Sequence, residues 1–117
     1  MNYLLLIHHG GAPTPDDPHA WASLSKEEQK AVFAEYQAVS QTPGVTTGPR
    51  MRAAEMATTV RVHDGKTITT DGPYVEMEEA LGGYVFFEAD DLDAAIALAA
   101  RIPAARLGGG VEIRPLA

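Results

Sequence analysis

The chain has 117 residues, a formal net charge of −7 and no cysteine. That length fits one domain, residues 1–117, large enough for a real core but with a surface-to-volume ratio that favours further burial by association. Its nine Lys and Arg are scattered, which argues against nucleic acid or an anionic membrane as partner, because both reward clustered positive charge; the absence of cysteine excludes disulfides, thiolate catalysis and Cys-based metal sites.

Tyr3 to Ile7 is a short continuous apolar run. It predicts a first strand covered on both faces. It is too short to span a bilayer and lacks the basic flank and cleavage site of a signal peptide, so a cytoplasmic protein is expected. The following HHGGAPTPDDPHAW, with three prolines and two glycines, predicts a loop; long loops are often functional. Ser25 with Glu28 three residues on forms a capping box. The helix it opens runs to about Ser40, with Val32, Tyr36 and Val39 on one face and Phe33 beside them, and Pro43-Gly44 stops it. Val45 to about Arg52 holds a second strand, broken by Gly48-Pro49. Next comes a hairpin tipped by Asp64-Gly65, whose two-residue type I′ turn pairs His63 with Lys66, Val62 with Thr67, Arg61 with Ile68 and Val60 with Thr69. The second arm ends at Asp71-Gly72-Pro73, and Glu76, Glu78 and Glu79 read as a short acidic turn. Gly83 to Glu88 is a strand rich in aromatic and β-branched residues. Asp90 or Asp91 caps a second helix, with Leu92, Ala95, Ile96 and Ala99 on its apolar face. LGGG then reads as a flexible connector into a last strand at Val111 to Arg114.

Without the hairpin the order is β-α-β-β-α-β, a ferredoxin-like α+β plan with an inserted β-hairpin. Two helices cover one face of such a sheet. At about 25 cal/mol per Å² of apolar area, leaving the other face wet is a large loss. The expectation is a homodimer packed sheet to sheet, with a cavity near that interface.

From Thr69 to Pro115 the sequence, TTDGPYVEMEEALGGYVFFEADDLDAAIALAARIPAARLGGGVEIRP, resembles the YCII-related family in its Asp-Gly-Pro-Phe (DGPF) signature branch. NYLLLI and SLSKEEQKAVFAEY extend the resemblance over nearly the whole chain. Tyr74 stands in place of the signature Phe, and His8 and His9 stand where that branch more commonly has Tyr and Gly. The resemblance implies a dimeric ferredoxin-like α+β barrel. It also implies a His–Asp pair in some members, dehydrochlorination in one branch, and, for the DGPF signature branch itself, genes that often lie beside extracytoplasmic-function sigma factors. The position of one branch's catalytic histidine is taken here by residues such as Glu27 and Glu28.

Asp71 has two readings. As a turn residue it accepts bonds from nearby amides beside Gly72 and Pro73; as a rigidly held carboxylate it acts as a general base or orients a histidine. Strand alternation sends one of His8 and His9 towards the helices and the other to the opposite face; either could transfer protons near neutrality. Since alternation points them apart, they are no chelate, and no metal or cofactor is expected. Arg50 and Arg52, on one face of the second strand, suit a carboxylate-bearing ligand or a solvated surface. Trp21, Tyr74 and Tyr84 are candidate pocket aromatics or core.

The expected function is binding of a small organic molecule at the dimer's sheet face, with cofactor-free acid–base chemistry of a lyase or hydrolase type. In it Asp71 acts with His8 or His9, Arg50 anchors an anion, and Tyr74 and Trp21 line the ligand. The alternative is a non-catalytic ligand-sensing or interaction module coupled to a sigma factor; a cofactor-free oxygenase is a third possibility that no feature selects.

Overall fold

A computed structural model describes residues 1–117, the side chain of Glu78 excepted. Strand β1 (Asn2–His8) lies at the centre of a four-stranded antiparallel sheet. It pairs on one side with β5 (Leu81–Glu88) and on the other with β6 (Gly110–Pro115), and β2 (Val45–Thr47) adds to the outer side of β5. The strand order is β2-β5-β1-β6. With three helices this is an α+β arrangement consistent with the ferredoxin-like plan.

The run Tyr3 to Ile7 hides an alternation that its composition masks. Tyr3, Leu5 and Ile7 are buried, whereas Leu4, Leu6 and His8 are only half-buried. Within one protomer β1 is therefore fully covered on one face only. That face receives α2 (Lys26–Ser40) and α3 (Leu92–Ala99), and Val39, Val85, Phe87, Ala95, Leu98 and Ile102 join Tyr3, Leu5 and Ile7 in the core. Ser25 caps α2 by accepting the Glu28 N–H at 3.1 Å, and Asp91 caps α3 by accepting the Ala94 N–H at 2.9 Å, each satisfying one orphan amide of a first turn. None of the helices is long and apolar enough to cross a membrane among the described residues.

Four expectations are corrected. The proline-rich segment after β1 contains a helix, α1 (Pro18–Ala22), because Asp17 accepts the Ala20 N–H at 3.2 Å and Pro18 opens the first turn, where it sacrifices no hydrogen bond. The second strand stops at Thr47, so Arg50 and Arg52 lie on irregular chain. The apolar face of α3 is rotated: Ala95, Leu98 and Ala99 are buried, while Leu92 and Ile96 stand about half exposed. The glycines after Leu107 form no loose connector. A Cβ on Gly109 would fall on the carbonyl oxygens of His8 and His9, and Gly108 adopts φ +112°, which favours glycine. Backbone there packs directly on backbone.

The hairpin forms a separate two-stranded sheet, β3 (Thr58–His63) with β4 (Lys66–Asp71), in the register expected from its Asp-Gly turn. Asp64 and Gly65 both take positive φ, as a type I′ turn requires.

Core packing assigns different weights to neighbouring α3 side chains. Leu98→Ala is expected to lose about 2–5 kcal/mol and Ile96→Ala about 0.5 kcal/mol, read by chemical denaturation; equal losses would restore the unrotated face.

Candidate functional site

The phase of β1 decides where each histidine goes. His9 follows Tyr3, Leu5 and Ile7 in the alternation, and its ring comes to the helix side. His8 follows Leu4 and Leu6 to the open side. There its Nδ1 lies 3.1 Å from the Glu79 carbonyl oxygen, and its Nε2 lies 3.7 Å from Glu112 Oε1.

A register shift between Ile7 and His8 shapes the seat of His9. Ile7 pairs with Gly83 and His8 with Leu81, leaving Gly82 as the extra residue. This is a β-bulge, a device that re-aims side chains at strand ends. The imidazole lies over Gly82 so closely that a Cβ there would stand 2.7 Å from Nε2 and nearer still to Cδ2. Only glycine leaves room for the ring.

On the same side, a cavity of about 320 Å³ opens between the sheet end, α2 and the loop after β1. Ile7, Val85 and Gly83 form its floor, Val32, Phe33 and Tyr36 come from α2, and Pro13, Pro15, Met51 and Leu107 supply apolar walls. The Tyr84 ring turns to the open side with Phe86, and its hydroxyl lies close over Gly48 at the cavity's edge, where a Cβ would overlap it. At the rim the Arg50 guanidinium is paired with Asp16. Among the described residues, these two carry the only formal charges lining the cavity.

Burial holds the His9 imidazole below its ordinary pKa of 6.5. A backbone hydrogen bond with Gly82 and the charge of Asp16 pull in the opposite direction, and Arg50 adds to the depression. The residue is neutral at neutral pH, and a neutral imidazole keeps a lone pair on one ring nitrogen. Burial raises the Tyr36 phenol above its ordinary 10.0, against a backbone hydrogen bond from Ala104, so it stays protonated. The site thus offers one uncharged base beside protonated donors in apolar surroundings.

The remaining candidates lie elsewhere. Asp71 is exposed at the end of β4, opposite Thr58. Within one protomer it meets neither histidine among the hydrogen bonds and ion pairs of the described residues. The turn after it is locked by other groups: the Gly72 N–H donates to the Ala57 carbonyl at 2.7 Å, and the Thr59 hydroxyl donates to the Gly72 carbonyl at 2.8 Å. Tyr74 is 76% exposed and lines no cavity described here. Trp21 stacks edge-on against Phe33, with ring centroids 5.3 Å apart, and supports the cavity wall from behind. Among the described residues no three His, Asp or Glu side chains gather as a metal ion would need. This cavity lies on the helix side of the sheet, while a more open one lies beside His8, Glu79 and Gly110.

Sequence reasoning passed over Asp16, Tyr36 and Gly82. Gly82-Gly83 inside an otherwise β-rich stretch was the available signal, since glycine in a strand often marks a bulge or a close approach. Nothing local marks Asp16 or Tyr36.

The sequence matches the YCII-related domain over residues 1–117. The chain belongs to the YCII-related family. It is also similar to an uncharacterised protein of Rhizobium meliloti (strain 1021), 33% identical over 107 residues, which span 87% of this chain and 86% of that protein. For this YCII-related chain, the family membership agrees with the α+β architecture and leaves the chemistry to be argued from the cavity.

The sign of the His9 effect follows from its lowered pKa. Between the folded-state pKa and 6.5 the unfolded chain binds more protons than the folded one, so stability rises with pH across that window and is lost as pH falls through it. Denaturation at stepped pH is expected to show this slope in the wild type and not in His9→Gln. In Gly82→Ala the displaced ring is expected to titrate closer to 6.5 by NMR; an unmoved titration would mean that Gly82 does not seat the ring.

Proposed function

We propose that this YCII-related protein binds a small organic molecule in the helix-side cavity, and that His9 acts there as a cofactor-free general base. One observation carries the reading: a neutral imidazole, seated on the bulged Gly82, borders an apolar cavity of about 320 Å³. A base in such surroundings is not solvated away from the proton it takes. Tyr36 is the complementary donor, a phenol that stays protonated while His9 accepts. Positioned proton transfer of this kind contributes about 10²–10⁴-fold to a rate.

The reading is testable before any natural substrate is known. 5-Nitrobenzisoxazole needs only a base in an apolar pocket: the base takes the ring C–H proton, the N–O bond breaks, and a coloured cyanonitrophenolate forms. Wild-type protein is expected to accelerate this reaction about 10²-fold, with a rate that rises with pH below neutrality, and His9→Gln is expected to return it to the buffer rate. Equal rates for the two proteins would remove His9 as a base.

We further propose that a second copy of the chain covers the open sheet face. Leu4, Leu6, Tyr84 and Phe86 share that face, and Phe86 is 43% exposed. The Arg114–Glu112 pair at its β6 edge offers both signs of charge to a two-fold mate. Sedimentation velocity at micromolar concentration is expected to show a dimer, and Phe86→Lys a folded monomer; a wild-type monomer would overturn the assembly.

A further inference from the structure

We propose that the ligand of this cavity is a small apolar carboxylic acid, and that its carboxylate takes the Arg50 guanidinium from Asp16. This rests on the reading of the cavity as the binding site and goes further by naming the class of molecule it takes.

The Asp16–Arg50 pair joins two irregular segments across the rim. Asp16 ends the loop after β1, and Arg50 follows Gly48-Pro49 beyond β2. The side chains are 47% and 66% exposed. An ion pair so wetted adds little to stability, so exchanging one partner costs little. In this state Arg50 already holds a carboxylate at the mouth, and Asp16 occupies the place of a ligand's acidic group. Guanidinium presents a planar fork of donors that matches a carboxylate bidentately. An entering acid therefore makes at Arg50 the bonds Asp16 gives up, and it adds burial of its apolar body against Pro13, Pro15, Phe33 and Met51.

The lining favours an anion over a cation. The rim carries one fixed charge of each sign, and the deeper lining adds the protonated Tyr36 hydroxyl as a donor and the His9 lone pair as an acceptor. A carboxylate matches the planar Arg50 fork through two parallel bonds, whereas an ammonium group at Asp16 finds no such matched geometry.

The test compares isosteres that differ only in charge. Calorimetry or NMR titration with 4-methylbenzoate and 4-methylbenzamide is expected to give about ten- to a hundredfold tighter binding of the acid by wild-type protein, the range of a charge-assisted pair. Arg50→Gln is expected to erase that preference, and Arg50→Lys to retain only part of it because the fork is lost. Asp16→Asn frees Arg50 and is expected to tighten the acid several-fold while leaving the amide unchanged; far-ultraviolet circular dichroism checks that each variant is folded. Equal binding of acid and amide, failure of both to bind, or weaker acid binding in Asp16→Asn would each overturn the carboxylate class. The nitrobenzisoxazole reaction of wild type and His9→Gln, which needs no anion, reports separately on the base, so either reading can fail while the other stands.

Discussion

The phase of β1 is the constraint on which the site depends. A strand sends successive side chains to opposite faces, and burial of Tyr3, Leu5 and Ile7 under α2 and α3 fixes which face is which. A one-residue slip would exchange the two sets and expose the core residues, a loss far larger than any single contact at the site could offset. The position of His9 is therefore set by hydrophobic burial several residues upstream. The bulge opposite Ile7 then lets the ring lie close over Gly82 at the strand end. Strong, non-directional burial supplies the phase, and a local irregularity supplies the aim.

The glycines near the site serve close approach. Gly82 admits the His9 ring, Gly48 admits the Tyr84 hydroxyl, and Gly109 lets the chain entering β6 lie against the His8 and His9 carbonyls. Each replaces a side chain with a neighbour, so the cavity end of the sheet is thin in side chains yet closely packed. Glycine costs conformational entropy on folding. Concentrating it around one histidine makes sense where a half-buried imidazole needs both room and a backbone acceptor. Burial there depresses basicity, and the Gly82 hydrogen bond restores part of it; the balance leaves a base that is uncharged at neutrality and still able to take a proton.

Much of the fold was legible because its signals are local. The hairpin register follows from Asp64-Gly65 alone, and both main helices begin at the caps expected, Ser25 and Asp91. What failed depended on tertiary context. Leu4-Leu5-Leu6 carries no visible alternation, so the one-sided burial of β1 was hidden by uniform composition. On α3, Ala95 and Ala99 belong to both possible faces; Leu98 outcompetes Ile96 for the core because Ile102 and Ala104 continue the buried surface on its side. The helix α1 was written in Asp17-Pro18 and was obscured by the surrounding prolines. The site was less legible than the fold. His9 and Arg50 were among the candidates, but the cavity also needs Asp16 beside Arg50, 34 positions apart, and Tyr36 from α2 in the same lining as His9, combinations that no local spacing encodes.

The sheet also partitions the molecule, and this bears on how the two proposals relate. The cavity lies on the helix side, and the apolar surface of Leu4, Leu6 and Phe86 lies on the other. A mate seated on the open face would touch His8 and its neighbours Glu79 and Glu112 but would be separated from His9 by the thickness of one strand. Dimerisation would then act on the base through the backbone at the strand end, where Gly109 lies against both histidine carbonyls, and not by supplying a group to the cavity. A packed interior transmits small displacements with little compliance. The His8–His9 peptide is thus the place where the two faces are mechanically joined, and an effect of assembly on proton transfer would have to pass through that short stretch of main chain.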